Sequence, residues 1–158
     1  MHQPLTAGDL CTRASVIAFR ATALNEAARL MREHHVGSLV VVDESPDGRV
    51  PVGLLTDRDI VTAVVAKDAD PGRLRAEDVM STSLVTAREQ DSVMDVLGAM
   101  RRAGVRRVPV TDVRGVLLGV LSLDDLLEVV GEEIRALVLA LAGMRIEDID
   151  LYEVNEAF

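Results

Sequence analysis

Apolar residues recur at helical spacing over 24–31. Leu24, Ala27, Ala28 and Met31 share one face, with Asn25, Glu26 and Arg29 between them. The same spacing returns 69 residues later in Val93, Val96, Leu97 and Met100. Each helix follows a short extended stretch, "VIA" at 16–18 and "VTA" at 85–87. Each precedes a β-branched run, "SLVVVD" at 38–43 and "RVPVTD" at 107–112. A glycine-containing turn leads to a second strand, "VGLLT" at 52–56 or "LLGVLS" at 117–122. A second helix then begins at the hydroxyl residue, as "DRDIVTAVVAK" (57–67) or "LDDLLEVVGEEIRALVLALAG" (123–143). The pattern predicts the order β-α-β-β-α, twice, with Thr22 and Asp91 as N-caps of the first helix in each copy. Asn25 and Met94 do not complete capping boxes there.

The repeat is sharpest in "GLLTDRDI" (53–60) and "GVLSLDDL" (119–126), offset by 66. The change of three residues falls between the strands, where "ESPDGRVP" (44–51) stands against "VRG" (113–115), and hairpin tips tolerate insertion. The expected division is a first repeat at 8–67, a linker at 68–77, a second repeat at 78–140 and an extension at 141–158.

Composition narrows the function classes. Hydrophobic residues make up 49% of the chain but include two Phe, one Tyr and no Trp, so the core must be built from aliphatic side chains and methionine. A formal charge of −9 repels a phosphate backbone, which argues against a nucleic-acid partner. No apolar run is long enough to span a bilayer, and no signal peptide opens the sequence. The single cysteine, Cys11, has no partner for an internal disulfide, and cytoplasmic residence is the expectation.

The twofold β-α-β-β-α unit ending in G-h-h-[TS]-x-x-D resembles the cystathionine-β-synthase (CBS) domain, a tandem pair of which forms a Bateman module. "HHVGSLVVVDE" and "VGLLTDRDIV" resemble a first copy; "DVMSTSLVTA", "GVRRVPVTD" and "GVLSLDDLL" resemble a second. The resemblance covers roughly residues 8–140. It implies an α+β fold with the two repeats packed sheet to sheet about a pseudo-twofold axis, a homodimer, and clefts for adenosine-containing ligands: AMP, ADP, ATP, NAD or S-adenosylmethionine. It implies a nucleotide-sensing module that signals to a protein target and is not itself a catalyst.

The residues suit that chemistry. Thr56 and Ser122 lie where a strand ends and a helix begins, so free N–H groups and the helix dipole favour a phosphate there. Asp59 and Asp125, one turn further on, can accept two hydrogen bonds from a ribose diol. The alternative is that both pairs are ordinary N-caps. By resemblance, the base slot comprises Val16, Ile17 and Ala18 with Val36 and Gly37, and in the other copy Val85 with Val105, Arg107 and Pro109. Arg58 could stabilise a phosphate near Thr56, whereas Asp124 opposes polyphosphate near Ser122, with Arg106 and Arg107 to compensate. The cleft of Thr56 and Asp59 is therefore expected to accept the longer phosphate chain. His34 and His35 project in different directions, which predicts capping or solvated roles and no metal. No nucleophile–base–orienter set is evident.

The segment "LAGMRIEDIDLYEVNEAF" (141–158) departs from the family and resembles a short thiolase stretch containing "NEAF". The nucleophilic-cysteine region and glycine-rich loops of thiolases are missing, so Asn155 receives no catalytic role. Chance similarity, a gene-fusion remnant and a partner-docking extension are all compatible with it.

Overall fold

The computed structural model describes residues 5–142. Its elements are α1 (Ala7–Leu10), β1 (Ile17–Phe19), α2 (Leu24–Glu33), β2 (Ser38–Ser45), β3 (Gly48–Thr56) and α3 (Asp57–Ala63). After a short 3-10 turn at Val65–Lys67 come α4 (Ala76–Val79), β4 (Ala87–Arg88), α5 (Val93–Ala103), β5 (Arg107–Thr111), β6 (Leu117–Ser122) and α6 (Leu123–Ala142). They build a mixed α+β fold with two three-stranded sheets, β1-β2-β3 and β4-β5-β6. In each sheet the middle strand runs parallel to the first and antiparallel to the third.

The repeat survives in detail. Both hairpins carry a register shift at the same place, between Val41 and Val42 and between Val110 and Thr111. The extra residues of the first copy lengthen the strands and not the loop. Asp43, Glu44 and Ser45 pair with Val50, Arg49 and Gly48, leaving a turn of Pro46 and Asp47. β4 is shorter than β1 for a chemical reason. Ile17 pairs with Val40, but the corresponding partner of Thr86 is Pro109, which has no N–H to give a ladder.

The expected caps are displaced by one residue. The N-cap of α2 is Ala23 and that of α5 is Ser92, whose hydroxyl accepts from the Asp95 N–H at 3.2 Å. Thr22 Oγ1 instead accepts from the Phe19 N–H at 2.9 Å, and Asp91 Oδ2 from the Arg88 N–H at 2.8 Å. These side chains close the turn that redirects the chain from strand to helix, a local bond that competes with capping. Ala28 is also exposed, and Leu30 packs on the core in its place.

The two repeats are tied by an exchange of their lead segments. Residues 5–12 do not pack on the first sheet; they run along the second. Thr12 forms a two-bond antiparallel bridge with Val120 (2.9 and 3.1 Å), and the Ala7 N–H donates to the Asp91 carbonyl at 2.9 Å. Reciprocally, Ser81 bridges Leu54 (2.9 and 3.0 Å), and the Ala76 N–H donates to the Thr22 carbonyl at 2.8 Å. This correspondence displays the pseudo-twofold relation. The cores are shared accordingly: Ala7 and Cys11 lie with Val108, Val110, Leu121 and Leu126, whereas Ala76 and Met80 lie with Leu24, Leu39, Val41 and Leu55. Each fully buried leucine among these contributes roughly 1.5–3 kcal/mol of transfer free energy.

Candidate functional site

Thr56 ends β3 and Ser122 ends β6, and each continues directly into a helix. In the first copy Asp59 Oδ2 accepts from the Thr56 hydroxyl at 2.6 Å and the Thr56 N–H at 2.9 Å, while Thr56 Oγ1 accepts from the Asp59 N–H at 3.2 Å. The second copy repeats this with Ser122 and Asp125 at 2.7, 2.9 and 3.2 Å. Both pairs are thus reciprocal N-caps, using one carboxylate oxygen of each aspartate and leaving Oδ1 outside the box. The helices they open are unequal: α3 has 7 residues and α6 has 20. The partial charges of aligned peptide dipoles at the N-terminus favour an anion more securely beside the long helix.

A cleft of about 250 Å³ lies between the repeats on that side. Val16, Val36 and Gly37 line it from the first repeat, and Arg107, Ser122 and Asp125 from the second. Six sequence-predicted residues from distant parts of the chain therefore meet in one space. Arg106 stands 3.9 Å from Asp124, with both side chains exposed, so this is a weak pair. Arg107 makes no ion pair among the described residues, and it lines the cleft.

The other predicted residues lie elsewhere. Ile17 and Ala18 belong to β1, and Ala18 is buried in the core. Pro109 is fully buried. Val85 lines a recess of about 60 Å³ beside α5, and Val105 an apolar groove against Leu97, Met100 and Leu123. Thr56, Arg58 and Asp59 sit at the equivalent strand–helix junction of the first repeat, outside the 250 Å³ cleft.

Seven further lining residues escaped sequence reasoning: Thr12, Ala14, Ser15, His35, Ser38, Val40 and Val120. Ser38 had a signal, since it is the repeat counterpart of Arg107. Thr12, Ala14 and Ser15 had none, because they reach the cleft only through the exchanged lead segment. His34 is the C-cap of α2, as its position predicts, but His35 turns into the cleft wall. At Gly37 a Cβ would stand 3.3 Å from the Asp57 carboxylate, and the Gly37 carbonyl accepts from the Asp57 N–H at 3.1 Å. Cys11 is buried beneath the crossing of Thr12 over β6, and burial pushes its thiol above the usual range, away from nucleophilic use. The described residues contain no group of three or more side chains suited to a metal ion. None of their helices is long and apolar enough to cross a membrane. Asn155 and the thiolase-like segment lie outside the described residues.

Comparison with known proteins agrees with this architecture. The family model for the CBS domain matches residues 7–66 and again 76–132. An uncharacterised protein of Methanopyrus kandleri is 33% identical over 125 residues, which are 79% of this chain and 62% of that relative, so the chain spans less than two thirds of its length. Among solved structures, the CBS domain pair of protein MJ0100 in complex with 5′-methylthioadenosine and S-adenosyl-L-methionine superposes with a TM-score of 0.72 at 24% identity, over 83% of this chain and 99% of that one. The cytosolic domain of the Mg2+ channel MgtE in complex with ATP superposes with a TM-score of 0.66 at 28% identity, over 78% of this chain and 48% of that one.

Proposed function

The chain belongs to the CBS-domain family as a tandem pair, and from that premise we propose a regulatory module that binds an adenosine-containing nucleotide between its repeats and passes the ligand state to a protein partner. One observation carries the reading. The cleft joins an apolar wall of Val16, Val36 and Gly37 to Arg107, Ser122 and Asp125 at the N-terminus of a 20-residue helix. An apolar slot suits a base, the Oδ1 of Asp125 suits a ribose hydroxyl, and Arg107 with the helix end suits a phosphate. The cleft volume of about 250 Å³ lies just below the roughly 300–1,000 Å³ of small-molecule pockets, which favours a mononucleotide over a larger ligand. The ATP held by the MgtE cytosolic domain supports the ligand class. Sequence reasoning favoured the Thr56–Asp59 side for the longer phosphate chain; the 250 Å³ cleft is lined by Ser122 and Asp125.

Thermal unfolding against AMP, ADP, ATP, NAD and S-adenosylmethionine, with GTP as control, tests the proposal. A ligand at 100 times its Kd stabilises the folded state by about 2.7 kcal/mol, a rise in Tm of roughly 5–10 °C for a chain of this size. No shift with any adenosine compound would favour a second reading, a ligand-free scaffold. That reading draws on the two capping boxes, which give both aspartates a structural use without any ligand.

The proposal includes a homodimer in the cytoplasm. Leu127, Ile134, Leu137 and Val138 of α6 are each more than half exposed, an apolar face of the kind a second copy covers. Light scattering at micromolar concentration is expected to give twice the chain mass of 17.1 kDa, and a monomer there would remove the dimer.

A further inference from the structure

The two α-to-β turns of the molecule provide an internal comparison. After α2, the His35 N–H donates to the Arg32 carbonyl at 3.4 Å and the Val36 N–H to the Met31 carbonyl at 2.9 Å. After α5, the Gly104 N–H donates to the Arg101 carbonyl at 3.4 Å and the Val105 N–H to the Met100 carbonyl at 3.0 Å. The turns are the same, and both need the left-handed region, with φ of 53° at His35 and 67° at Gly104. Glycine enters that region without penalty, whereas a Cβ there is strained. The second repeat thus shows that this turn closes without a side chain. The first repeat keeps a histidine there, an exposed residue that lines the cleft beside Val36 and Gly37. Strain retained at a cleft points to use of the side chain.

We propose that His35 is a specificity-determining residue of this cleft, its ring forming one wall of the slot for the purine base. The inference rests on the nucleotide reading above and adds which residue reads the base. The placement follows from the lining: His35 adjoins the apolar wall, while Arg107, Ser122 and Asp125, to which the nucleotide reading gives the phosphate and ribose, line the cleft from the other repeat. An imidazole offers a flat face for stacking and a ring nitrogen for the edge of a base. Gly104, its repeat counterpart, offers neither.

His35→Gly and His35→Ala, measured by titration calorimetry with AMP and with ribose 5-phosphate, test this. His35→Gly should raise the Tm of the unliganded chain by about 2–4 °C, because the strain is relieved, while His35→Ala should not. Both variants should weaken AMP about tenfold, the scale of one lost base–ring stack, and leave ribose 5-phosphate unchanged. A stabilised His35→Gly that binds AMP as the parent does would overturn the inference and leave the nucleotide reading intact. Equal loss for ribose 5-phosphate would move the ring to the phosphate and also overturn it. A parent chain that binds none of the five adenosine compounds would remove the nucleotide reading and this inference with it.

Discussion

Gly119→Ala is expected to destabilise the fold by about 2–3 kcal/mol, and Gly53→Ala by clearly less, although the two glycines hold the same place in the repeated motif. A Cβ at Gly119 would stand 2.7 Å from the Thr12 carbonyl oxygen, 3.0 Å from Cys11 Sγ and 3.1 Å from the Thr12 carbonyl carbon. Two of those atoms are backbone, in the segment that crosses from the first repeat and bridges Val120. It cannot retreat without stretching both hydrogen bonds of that bridge. At Gly53 the new methyl meets the Met80 thioether first, with Met80 Cγ at 3.0 Å and the Ser81 carbonyl oxygen at 3.1 Å. An unbranched methionine side chain has rotamers to yield into. Urea unfolding of both variants checks the order, and equal losses would count against the role assigned to the Thr12 backbone. Thr12 and Val120 also line the cleft, so Gly119→Ala should weaken ligand binding as well.

The repeat and its element order were legible because they are local. A helical face at Leu24, Ala27 and Met31, a β-branched run at 38–43 and a hydroxyl before the second helix depend on neighbours in sequence. The reciprocal packing of the lead segments was not legible. Nothing in residues 5–12 states that they will lie on β6, since the partner is more than a hundred residues away and the pairing there is by backbone bonds. For the same reason Thr12, Ala14 and Ser15 were invisible as cleft residues. The caps at Ala23 and Ser92 were missed by one position because Thr22 and Asp91 are equally good at closing a turn. Val16, Val36, Gly37, Arg107, Ser122 and Asp125 line one cleft, which sets base-slot residues of the first repeat against the strand–helix junction of the second. Which residues meet across the repeats depends on packing, and the motif is the same in both.

Asp125→Ala and Asp59→Ala are expected to share a loss of stability and to differ in ligand binding. Each removes the carboxylate that accepts from the N-cap hydroxyl and N–H, at 2.7 and 2.9 Å in one copy and 2.6 and 2.9 Å in the other. Disrupting such a cap costs about 0.5–2 kcal/mol, so both variants should unfold a few degrees early. Only Asp125 lines the 250 Å³ cleft. On the proposed nucleotide reading, removing it takes away a charged acceptor of a ribose hydroxyl and loosens the end of α6 nearest the phosphate. A hydrogen bond to a charged group contributes about 1.5–3 kcal/mol, so adenosine-nucleotide affinity should fall roughly tenfold to a hundredfold in Asp125→Ala and little in Asp59→Ala. Calorimetric titration of the three proteins separates the roles, because capping is common to both sites and the cleft is not. Equal loss of affinity in the two variants would mean that the Thr56–Asp59 junction also holds ligand. Unchanged affinity in Asp125→Ala would leave its carboxylate with the cap alone and move the ribose contact elsewhere in the cleft.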